Sequence, residues 1–574
     1  SWTGSSPSLL WEKADRRADV ATHCPDWTAA YNTRSAMRLP PANHRPGFGK
    51  HGCIRTPVRM REIELKLLTD EPPADIIARI KALDPPGAAS TVKNLRSIYF
   101  DTGTHALKKA GIALRLRRDG RRWLQTVKIG RLQSVGLMQV GEFETPAPGG
   151  KISLDAIPDP NVREELVRRI AGMPLVPVCE TVIRRTAREI ALGSEAVAEL
   201  AIDVGSIKAG ERSAELREVE LELLHGNPRG LFDIAKALFP TGGVRFSRLP
   251  KSARGYLLAA EGHIESPLAP RNARDVPLHE GMTAEQGMRD ILRECVDQIA
   301  ANAEVLRLLD APEGPHQLRV GLRRLRSVLG IFAPVAGSAE LKRLDAEARW
   351  LAQEVGQLRD LDVAAHDMVG VEAADHPDEP CLRQLAEALA KEAKICRGHV
   401  RAILTGPRVQ SLLFDLLCFA ETRGWLVPED MGQTARLAVS ITDMASEALD
   451  RRWKKVGKRA RKIETLDVGQ RHELRKELKK LRYAIEFFGP LYEPKRVVRM
   501  VQRLKRLQDV FGGLNDAAMI KSLLASGVIA APDDPVMQRA IGWVLGASAA
   551  RAVFGWAHAR DDWRELKDTK LFWR

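Results

Sequence analysis

The chain has 574 residues and a formal charge of +15 at pH 7, with 44% hydrophobic and only 5% aromatic residues. A chain of this length usually folds into several domains, and its hydrophobic fraction is sufficient for packed cores. The excess of Lys and Arg favours polyanionic partners. Seven cysteines without a CxxC pair indicate reduced thiols in a cytoplasm. No apolar run approaches the ~20 residues of a membrane helix, which argues against a membrane protein.

Residues 1–58 show no sustained hydrophobic period. They contain Trp2, Trp11 and Trp27 among many Pro, Gly and Ser residues. This composition predicts a disordered or non-native extension that precedes a start at Met60.

The first predicted strand carries three charged side chains on one face. Glu62, Glu64 and Lys66 alternate with the apolar Ile63 and Leu65. Successive side chains of a strand point to opposite faces, so the charges share one side and the aliphatic groups share the other. A single stripe of this kind is typical of the wet face of an antiparallel sheet.

Charged side chains recur with the same alternation along later predicted strands. Arg115 and Arg117 share one strand face, and Lys128 lies on a hairpin partner after the turn at Asp119-Gly120. Carboxylates and cations are segregated onto different strands, which a solvated sheet does not require. We therefore predict a closed antiparallel barrel whose wet lumen binds Mg²⁺ or Mn²⁺ together with a phosphate chain. The further members of the pattern are Glu142, Glu144, Arg185, Glu218, Glu220 and Glu222.

Several of these motifs, in this order and spacing, resemble the CYTH domain of the triphosphate tunnel metalloenzyme superfamily. The resemblance covers residues 59–262. It implies an eight-stranded tunnel that binds a triphosphate and a divalent metal and hydrolyses the terminal phosphoanhydride. The motifs are Glu62-x-Glu64-x-Lys66, Tyr99-Phe100-Asp101-Thr102, Leu114-Arg115-Leu116-Arg117, Glu218-Val219-Glu220 and Lys251-Ser252-Ala253-Arg254-Gly255-Tyr256.

The resemblance also implies roles for individual residues. The implied metal ligands are Glu62, Glu64, Glu218 and Glu220. The implied phosphate-binding residues, which with Glu62 and Glu64 carry catalysis, are Lys66, Arg115, Arg117, Lys128 and Arg185. Lys251 is a further implied phosphate ligand, although Pro250 stands where the family usually has serine. Roles are left open for Glu142, Glu144, Asp203 and Glu222.

A different kind of sequence follows the barrel region. A proline-containing linker is predicted over residues 263–279, and amphipathic helices over residues 280–573. The segment 316–326 matches the segment 472–482 at a displacement of 156 positions, and Leu358-Arg359-Asp360 matches Leu514-Asn515-Asp516 at the same displacement. Two matches at one displacement predict two related helical halves.

Each repeated segment begins with a histidine and presents a basic helix face. From Arg451 to Arg482 there are fourteen Lys or Arg residues against four Asp or Glu residues, a concentration typical of an anion-binding face. The two segments resemble the CHAD domain, which implies binding of inorganic polyphosphate. A nucleic-acid interface would use the same electrostatics, but the helices lack an interleaved aromatic platform. The predicted polyphosphate ligands are His316, Arg319, Arg323, His472, Arg475, Lys479 and Arg482.

Taken together, the sequence predicts an α+β protein in which an eight-stranded antiparallel barrel precedes an all-α bundle of two related halves. The predicted activity is Mg²⁺- or Mn²⁺-dependent hydrolysis of inorganic tripolyphosphate, with polyphosphate bound by the helical domain. The alternatives are another CYTH activity, either adenylate cyclisation or hydrolysis of an organic triphosphate, and a polyphosphate-binding protein without turnover.

Overall fold

A computed structural model describes residues 62–83, 89–191, 196–511, 518–520, 523 and 534–574. The predictions for residues 1–58, for a start at Met60 and for the repeat at Leu514-Asn515-Asp516 lie outside the described residues.

The first part of the chain forms the predicted eight-stranded antiparallel barrel. Each strand pairs with two neighbours in the closed order β1-β5-β4-β3-β2-β6-β7-β8, and β1 closes the barrel because it pairs with both β5 and β8. A two-residue strand, β9, pairs with the end of β1. The strands are β1 Glu62–Leu68, β2 Thr91–Thr102, β3 Ile112–Asp119, β4 Arg122–Ser134, β5 Leu137–Pro146, β6 Leu175–Ala191, β7 Ala196–Ala209, β8 Arg212–Gly226 and β9 Arg245–Phe246.

The alternation in β1 places its two sets of side chains in different surroundings. Leu65 and Leu67 are fully buried and belong to one apolar core with residues of the helices outside the barrel. Glu62, Glu64 and Lys66 are also buried, but they contact charged groups of other strands. The charged face of β1 therefore lines the lumen, and the aliphatic face packs outward. The barrel domain contains the helices α1 Pro73–Leu83, α2 Ala106–Lys109, α3 Pro160–Ile170, α4 Arg229–Leu238 and α5 Lys251–Glu261.

The predicted hairpin turn at Asp119-Gly120 is present between β3 and β4. Asp119 pairs with Arg122, and Gly120 has a φ of 60°, a left-handed value that favours glycine. This turn aligns Arg115 and Lys128 on neighbouring strands.

The described residues from Ala284 onward are mostly helical, as predicted. Capping boxes begin two of its helices, at Thr283 and at Asp467. The main helices are α6 Ala284–Leu308, α7 Glu313–Ala336, α8 Ala339–Asp362, α9 Gly370–Asp375, α10 Pro380–Thr405, α11 Pro407–Glu421, α12 Gln433–Leu437, α13 Ile441–Arg459, α14 Val468–Phe488, α15 Pro494–Val510 and α16 Pro535–Lys567, with a π-helical turn at Val363–Val369.

No single helix among the described residues is long and apolar enough to cross a bilayer, although two bent helix pairs meet the length and composition test together.

Helices α7 and α14, which carry the two repeated segments, pack against each other. The guanidinium of Arg324 lies 4.6 Å from the ring centre of Phe487, and Phe332 lies 6.3 Å from Phe488. Their leucines are buried in the shared core, which leaves the basic faces on the other side. These leucines are Leu318, Leu322 and Leu325 on α7 and Leu474, Leu478 and Leu481 on α14.

The helical domain packs directly on the segment that leads from α4 to α5. The backbone N–H of Gly243 donates to the carbonyl of Thr405 at 3.2 Å, and that of Val244 donates to Gln410 Oε1 at 3.1 Å. Two residues later, the ring of Phe246 meets Phe414 edge-on at 5.4 Å. The same segment then enters the barrel, so the two domains share it.

A second contact between the domains is made through the turn after β4. The backbone N–H of Val135 donates to Asp297 Oδ1 on α6 at 2.8 Å. Arg245 adds an ion pair to Glu304, also on α6, at 3.2 Å. The interface therefore combines aromatic packing with polar contacts.

Candidate active site and basic cluster

The charges in the barrel lumen are divided between two sides. Carboxylates come from the consecutive strands β7, β8, β1 and β5, whereas most cations come from β4, β3 and β6 on the opposite side. Lys66 on β1 and Lys251 on α5 are the exceptions, and both lie among carboxylates. Burial of this many charges is favourable only because each sign faces the other.

Three buried carboxylates form the acidic triad of Asp203, Glu218 and Glu220. Their oxygen atoms lie within 4.8 Å of one another. Asp203 pairs in register with Glu218 on the adjacent strand, and both are fully inaccessible to solvent. Neighbouring strands therefore bring the three groups to one point on the inner wall.

The ammonium of Lys251 lies against all three carboxylates of the acidic triad. Its Nζ is 2.8 Å from Asp203 Oδ2 and 2.7 Å from both Glu218 Oε1 and Glu220 Oε1. Lys251 is the first residue of α5, directly after the extended Pro250. The proline that departs from the family pattern thus leaves Lys251 inside the lumen.

Lys66 forms a second link among the carboxylates. Its Nζ contacts Glu220 and lies 3.0 Å from Glu64 Oε2 and 3.7 Å from Glu218 Oε1. Burial alone would lower the pKa of Lys66, but the carboxylates around it raise that pKa well above its ordinary value. Lys66 is therefore a permanent cation of this wall.

A second group of carboxylates lies where β1 meets β5. Lys128 Nζ is 2.7 Å from Glu62 Oε2 and 3.1 Å from Glu142 Oε2, and Arg115 Nη2 is 3.2 Å from Glu142 Oε1. Burial, together with the charges of Glu64 and Glu142, raises the pKa of Glu62 well above its ordinary value. Burial opposes ionisation of Glu142 as well, but Lys128 and Arg115 lower the pKa of Glu142. The two carboxylates thus differ in proton affinity.

Arg185 connects the cationic and acidic sides. Its Nε and Nη2 donate to the two oxygens of Asp203 at 2.8 and 2.7 Å, and Nη2 also lies 2.5 Å from Glu220 Oε2. This bidentate geometry fixes the orientation of the guanidinium.

Arg117 differs from the other lumen cations. Within the described residues it has no ion pair, and its buried Nε has no hydrogen-bond partner. Burial and the neighbouring guanidiniums of Arg115 and Arg185 lower the pKa of Arg117 to about 10. Arg117 is charged at neutral pH, and Glu142 attracts it without lying within ion-pair distance of its guanidinium.

The donor set fits a hard divalent cation, because the acidic triad offers three carboxylate oxygens at one point and already surrounds one cationic group. The predicted ligands Glu218 and Glu220 belong to this triad, whereas Glu62 lies with Glu142 and Glu64 lies against Lys66. The structure adds Asp203, whose role the sequence left open. Its signal is a single carboxylate that follows Leu200-Ala201-Ile202 in an otherwise apolar stretch.

Sequence reasoning gave no role to Arg254, which the structure places beside the acidic triad. Its Nη2 is 3.0 Å from Ser247 Oγ and 3.8 Å from Glu218 Oε2, and the residue is 2% exposed. Its helix, α5, is anchored by the hydroxyl of Tyr256, which donates to Asp101 Oδ2 at 2.6 Å.

In the helical domain, the basic cluster consists of Arg319, Arg323, Arg475, Lys479 and Arg482. The first two belong to α7 and the others to α14. Arg319 Nη1 pairs with Asp360 Oδ1 at 2.6 Å, and Arg482 Nε pairs with Glu486 Oε1 at 3.3 Å. Arg323 and Lys479 have no ion pair among the described residues.

The mutual repulsion of the basic cluster is visible in its proton affinities. Burial lowers the pKa of Lys479 to about 6, and Arg323, Arg475, Arg319 and Arg482 contribute to the shift. Burial also lowers the pKa values of His316 and His472, and nearby cations add to this effect. The cluster therefore holds more positive groups than it can keep fully charged.

A cavity of about 310 Å³ adjoins the basic cluster. One wall is cationic, with Arg319, Arg471 and Arg475, and His472 also lines the cavity. The predicted ligands Arg319, His472 and Arg475 thus meet at one opening. The remaining lining residues are Asp360, Val468, Phe511, Ala518, Met519 and Leu523.

Two domain families match the chain. The CYTH domain family matches residues 60–256, and the CHAD domain family matches residues 290–525. The chain contains a CYTH domain followed by a CHAD domain. The acidic triad and Arg117 lie in the CYTH domain, and the basic cluster lies in the CHAD domain.

Three relatives of known sequence or structure are similar to parts of this chain. An inorganic triphosphatase of Haemophilus influenzae is 29% identical over 168 residues, which are 29% of this chain and 46% of that protein. An uncharacterized protein of Mycobacterium tuberculosis is 25% identical over 511 residues, which are 83% of this chain and 90% of that protein. The crystal structure of the CHAD domain from the plant Ricinus communis is 26% identical, covers 53% of this chain and 98% of that chain, and has a TM-score of 0.45. The chain thus spans less than half of the length of the Haemophilus relative.

Proposed function

We propose that the CYTH domain hydrolyses inorganic tripolyphosphate to pyrophosphate and phosphate with Mg²⁺ or Mn²⁺, and that the CHAD domain binds inorganic polyphosphate. The observation that carries the proposal is the guanidinium of Arg117, which has no ion pair among the described residues and lies in the same closed lumen as the acidic triad. A lumen with an unsatisfied cation on one side and clustered carboxylates on the other suits a polyanion that arrives with a divalent metal. The Haemophilus relative, named an inorganic triphosphatase, supports the same chemistry.

Different residues of the lumen bind the phosphate groups and the metal. Arg115, Arg117 and Arg185 bind phosphate oxygens and orient the terminal phosphoryl group. The acidic triad, with Glu62 and Glu64 on the adjacent strand, would hold the metal. When bound, the metal neutralises phosphate charge and polarises the scissile anhydride.

The reaction itself transfers one phosphoryl group to water. The water oxygen forms a bond to the terminal phosphorus, the P–O bond to the bridging oxygen breaks, and the electron pair leaves with pyrophosphate. Protons from the water pass to the products and to solvent. The guanidiniums and Lys128 stabilise the charge that develops on the phosphate oxygens, and this electrostatic contribution is usually the largest in phosphoryl transfer.

The CHAD part of the proposal depends on the basic cluster. Arg323 and Lys479 have no ion pair among the described residues, and the two helices place the five basic side chains side by side. A chain of phosphates would provide the missing negative charge. Buried free thiols at Cys179, Cys295 and Cys381 support a reducing compartment, and we place the protein in the cytoplasm.

The test is a matrix of purified full chain against tripolyphosphate, ATP and thiamine triphosphate, each with Mg²⁺ or Mn²⁺. We expect fastest phosphate release from tripolyphosphate and none without metal. Cyclic AMP as the sole product, or preference for thiamine triphosphate, overturns the substrate assignment. Polyphosphate binding without any phosphate release overturns the enzymatic assignment.

Two double variants separate the domains. Glu62→Ala with Glu64→Ala should abolish metal-dependent turnover and spare polyphosphate binding. Arg319→Ala with Arg475→Ala should weaken polyphosphate binding and spare turnover. Glu215→Ala, an exposed carboxylate on β8, is the matched control and should change neither. Equal loss of both properties in either double variant contradicts the division of function.

A further inference from the structure

Lys251 occupies the point at which the acidic triad would hold a cation. A lysine ammonium has three N–H donors, and here its nitrogen lies 2.7 to 2.8 Å from an oxygen of each of the three carboxylates. The residue is 9% exposed, so water does not compete for these bonds. The ammonium therefore acts as the counter-ion of the triad.

The charges around the triad already balance without a metal. The acidic triad and the adjacent Glu64 carry four negative charges. Four cations, Lys66, Arg185, Lys251 and Arg254, each lie within 3.8 Å of at least one of these carboxylates. A divalent ion that joined the triad while Lys251 stayed would lie within a few ångströms of an ammonium. Coulomb repulsion at such a distance is large in a buried site.

Lys251 is the cation of this group that can leave most easily. Lys66 lies in the middle of β1, where its backbone pairs with Glu220, and Arg185 is held by a bidentate contact to Asp203. Lys251 is the first residue of α5, and its flexible stem can rotate without movement of the helix. The bond from Tyr256 to Asp101 keeps the helix in place.

We infer that Lys251 is an exchangeable counter-ion, which a divalent metal displaces from the acidic triad and which then binds a phosphate oxygen of the substrate. The inference rests on the proposed function. This exchange of Lys251 makes metal and triphosphate binding cooperative, because the displaced ammonium has a new partner only when the polyanion is present. By linkage, each ligand then strengthens binding of the other by the same factor.

The first test is calorimetric titration of the full chain with Mn²⁺ in the absence of phosphate compounds. Lys251→Met removes the competing charge and should bind Mn²⁺ at least about tenfold more tightly than the unchanged chain. Lys93→Met, which removes an exposed lysine of the same domain, should leave the affinity unchanged. Equal or weaker Mn²⁺ binding by Lys251→Met overturns the inference.

Lys128→Met tests the other carboxylate group. If this variant binds Mn²⁺ more tightly and Lys251→Met does not, the metal lies with Glu62 and Glu142, and the inference is wrong. Tighter binding by Lys251→Met alone supports exchange at the triad.

A second measurement uses the unchanged chain and does not depend on the folding of a variant. An amine-acylating reagent followed by mass spectrometry should label Lys251 slowly without metal and faster after Mn²⁺ is added. Labelling that stays the same or falls overturns the inference. Neither measurement depends on phosphate release. A failed triphosphatase assay would therefore refute the proposed function, while Mn²⁺ affinity and Lys251 labelling would still test the exchange of Lys251 separately.

Discussion

The barrel lumen and the basic cluster of the helical domain both concentrate charged side chains, but they do so in different ways. The lumen mixes both signs, and most of its cations are paired with carboxylates of other strands. The basic cluster carries one sign, and burial together with the neighbouring cations lowers the pKa of Lys479 to about 6.

This difference separates two kinds of phosphate site. A lumen with internal ion pairs is stable when empty, and a ligand must exchange partners with groups that are already satisfied. In a cluster of one sign, the side chains repel one another in the free protein, and a bound polyanion neutralises that repulsion. The first arrangement suits selective chemistry on a short substrate, and the second suits binding of long chains with little selectivity.

The largest expected effect concerns Arg117, a lumen cation for which the described residues provide no ion pair. Arg117→Met should reduce kcat/KM for tripolyphosphate by about 100-fold or more, because it removes charge that stabilises the transferred phosphoryl group. Steady-state phosphate release measures the change. Arg118→Met is the matched control, since Arg118 is the next residue on β3 but is exposed. If both variants lose activity equally, the lumen position of Arg117 gives it no special role in turnover.

The corresponding change in the helical domain should alter binding without altering turnover. Arg323→Met should weaken long-chain polyphosphate binding by about tenfold and reduce its salt dependence, because one phosphate contact is lost. Titrations at several salt concentrations measure both quantities. Lys476→Met, on the exposed side of α14, should have little effect. Unchanged binding by the Arg323 variant would remove the basic cluster from the polyphosphate site.

The pH dependence of binding should distinguish the two sites more finely. Lys479 is mostly neutral in the free protein above about pH 6. A bound polyphosphate raises its pKa, so binding takes up a proton, and affinity should fall by up to about tenfold per pH unit as pH rises from about 6 to 8. Calorimetry in buffers of different ionisation enthalpy measures the proton uptake. Lys479→Arg keeps its charge and should flatten the profile; an identical slope would show that another group titrates.

The smallest expected effect lies at the contact between the domains. Asp297→Ala removes the acceptor of the Val135 N–H, and should cost about 1 kcal/mol of stability because that buried donor loses its hydrogen bond. Thermal denaturation measures the loss. Asp378→Ala, an exposed control, should leave the midpoint unchanged. A shift of equal size in both variants would mean that the interface contact adds nothing specific.

Much of the barrel follows from local alternation. The period of Glu62, Glu64 and Lys66 identifies a strand with a charged face, and the recurrence of the pattern predicts that such faces meet in a lumen. The structure confirms the closed barrel and the helical second part. The leucine spacing of α7 and α14 likewise predicts their buried faces.

The composition of the acidic triad could not be predicted in the same way. Asp203 joins Glu218 and Glu220 through the register of β7 and β8, and register depends on the whole sheet rather than on one strand. The contact of Lys251 with these carboxylates depends on where α5 enters the lumen, which no local pattern specifies. The ion pairs of Arg319 and Arg482 also involve acids whose positions require the packed helices.

The segment from Gly243 to Lys251 belongs to both domains, since it packs on Phe414 at one end and reaches the acidic triad at the other. Cleavage of the linker to obtain two separate proteins would uncover Phe246 and deprive two backbone amides of their acceptors. The pieces should therefore be poorly soluble alone and should reassociate when mixed. Fusing either domain alone to another protein would require redesign of the segment from Gly243 to Lys251.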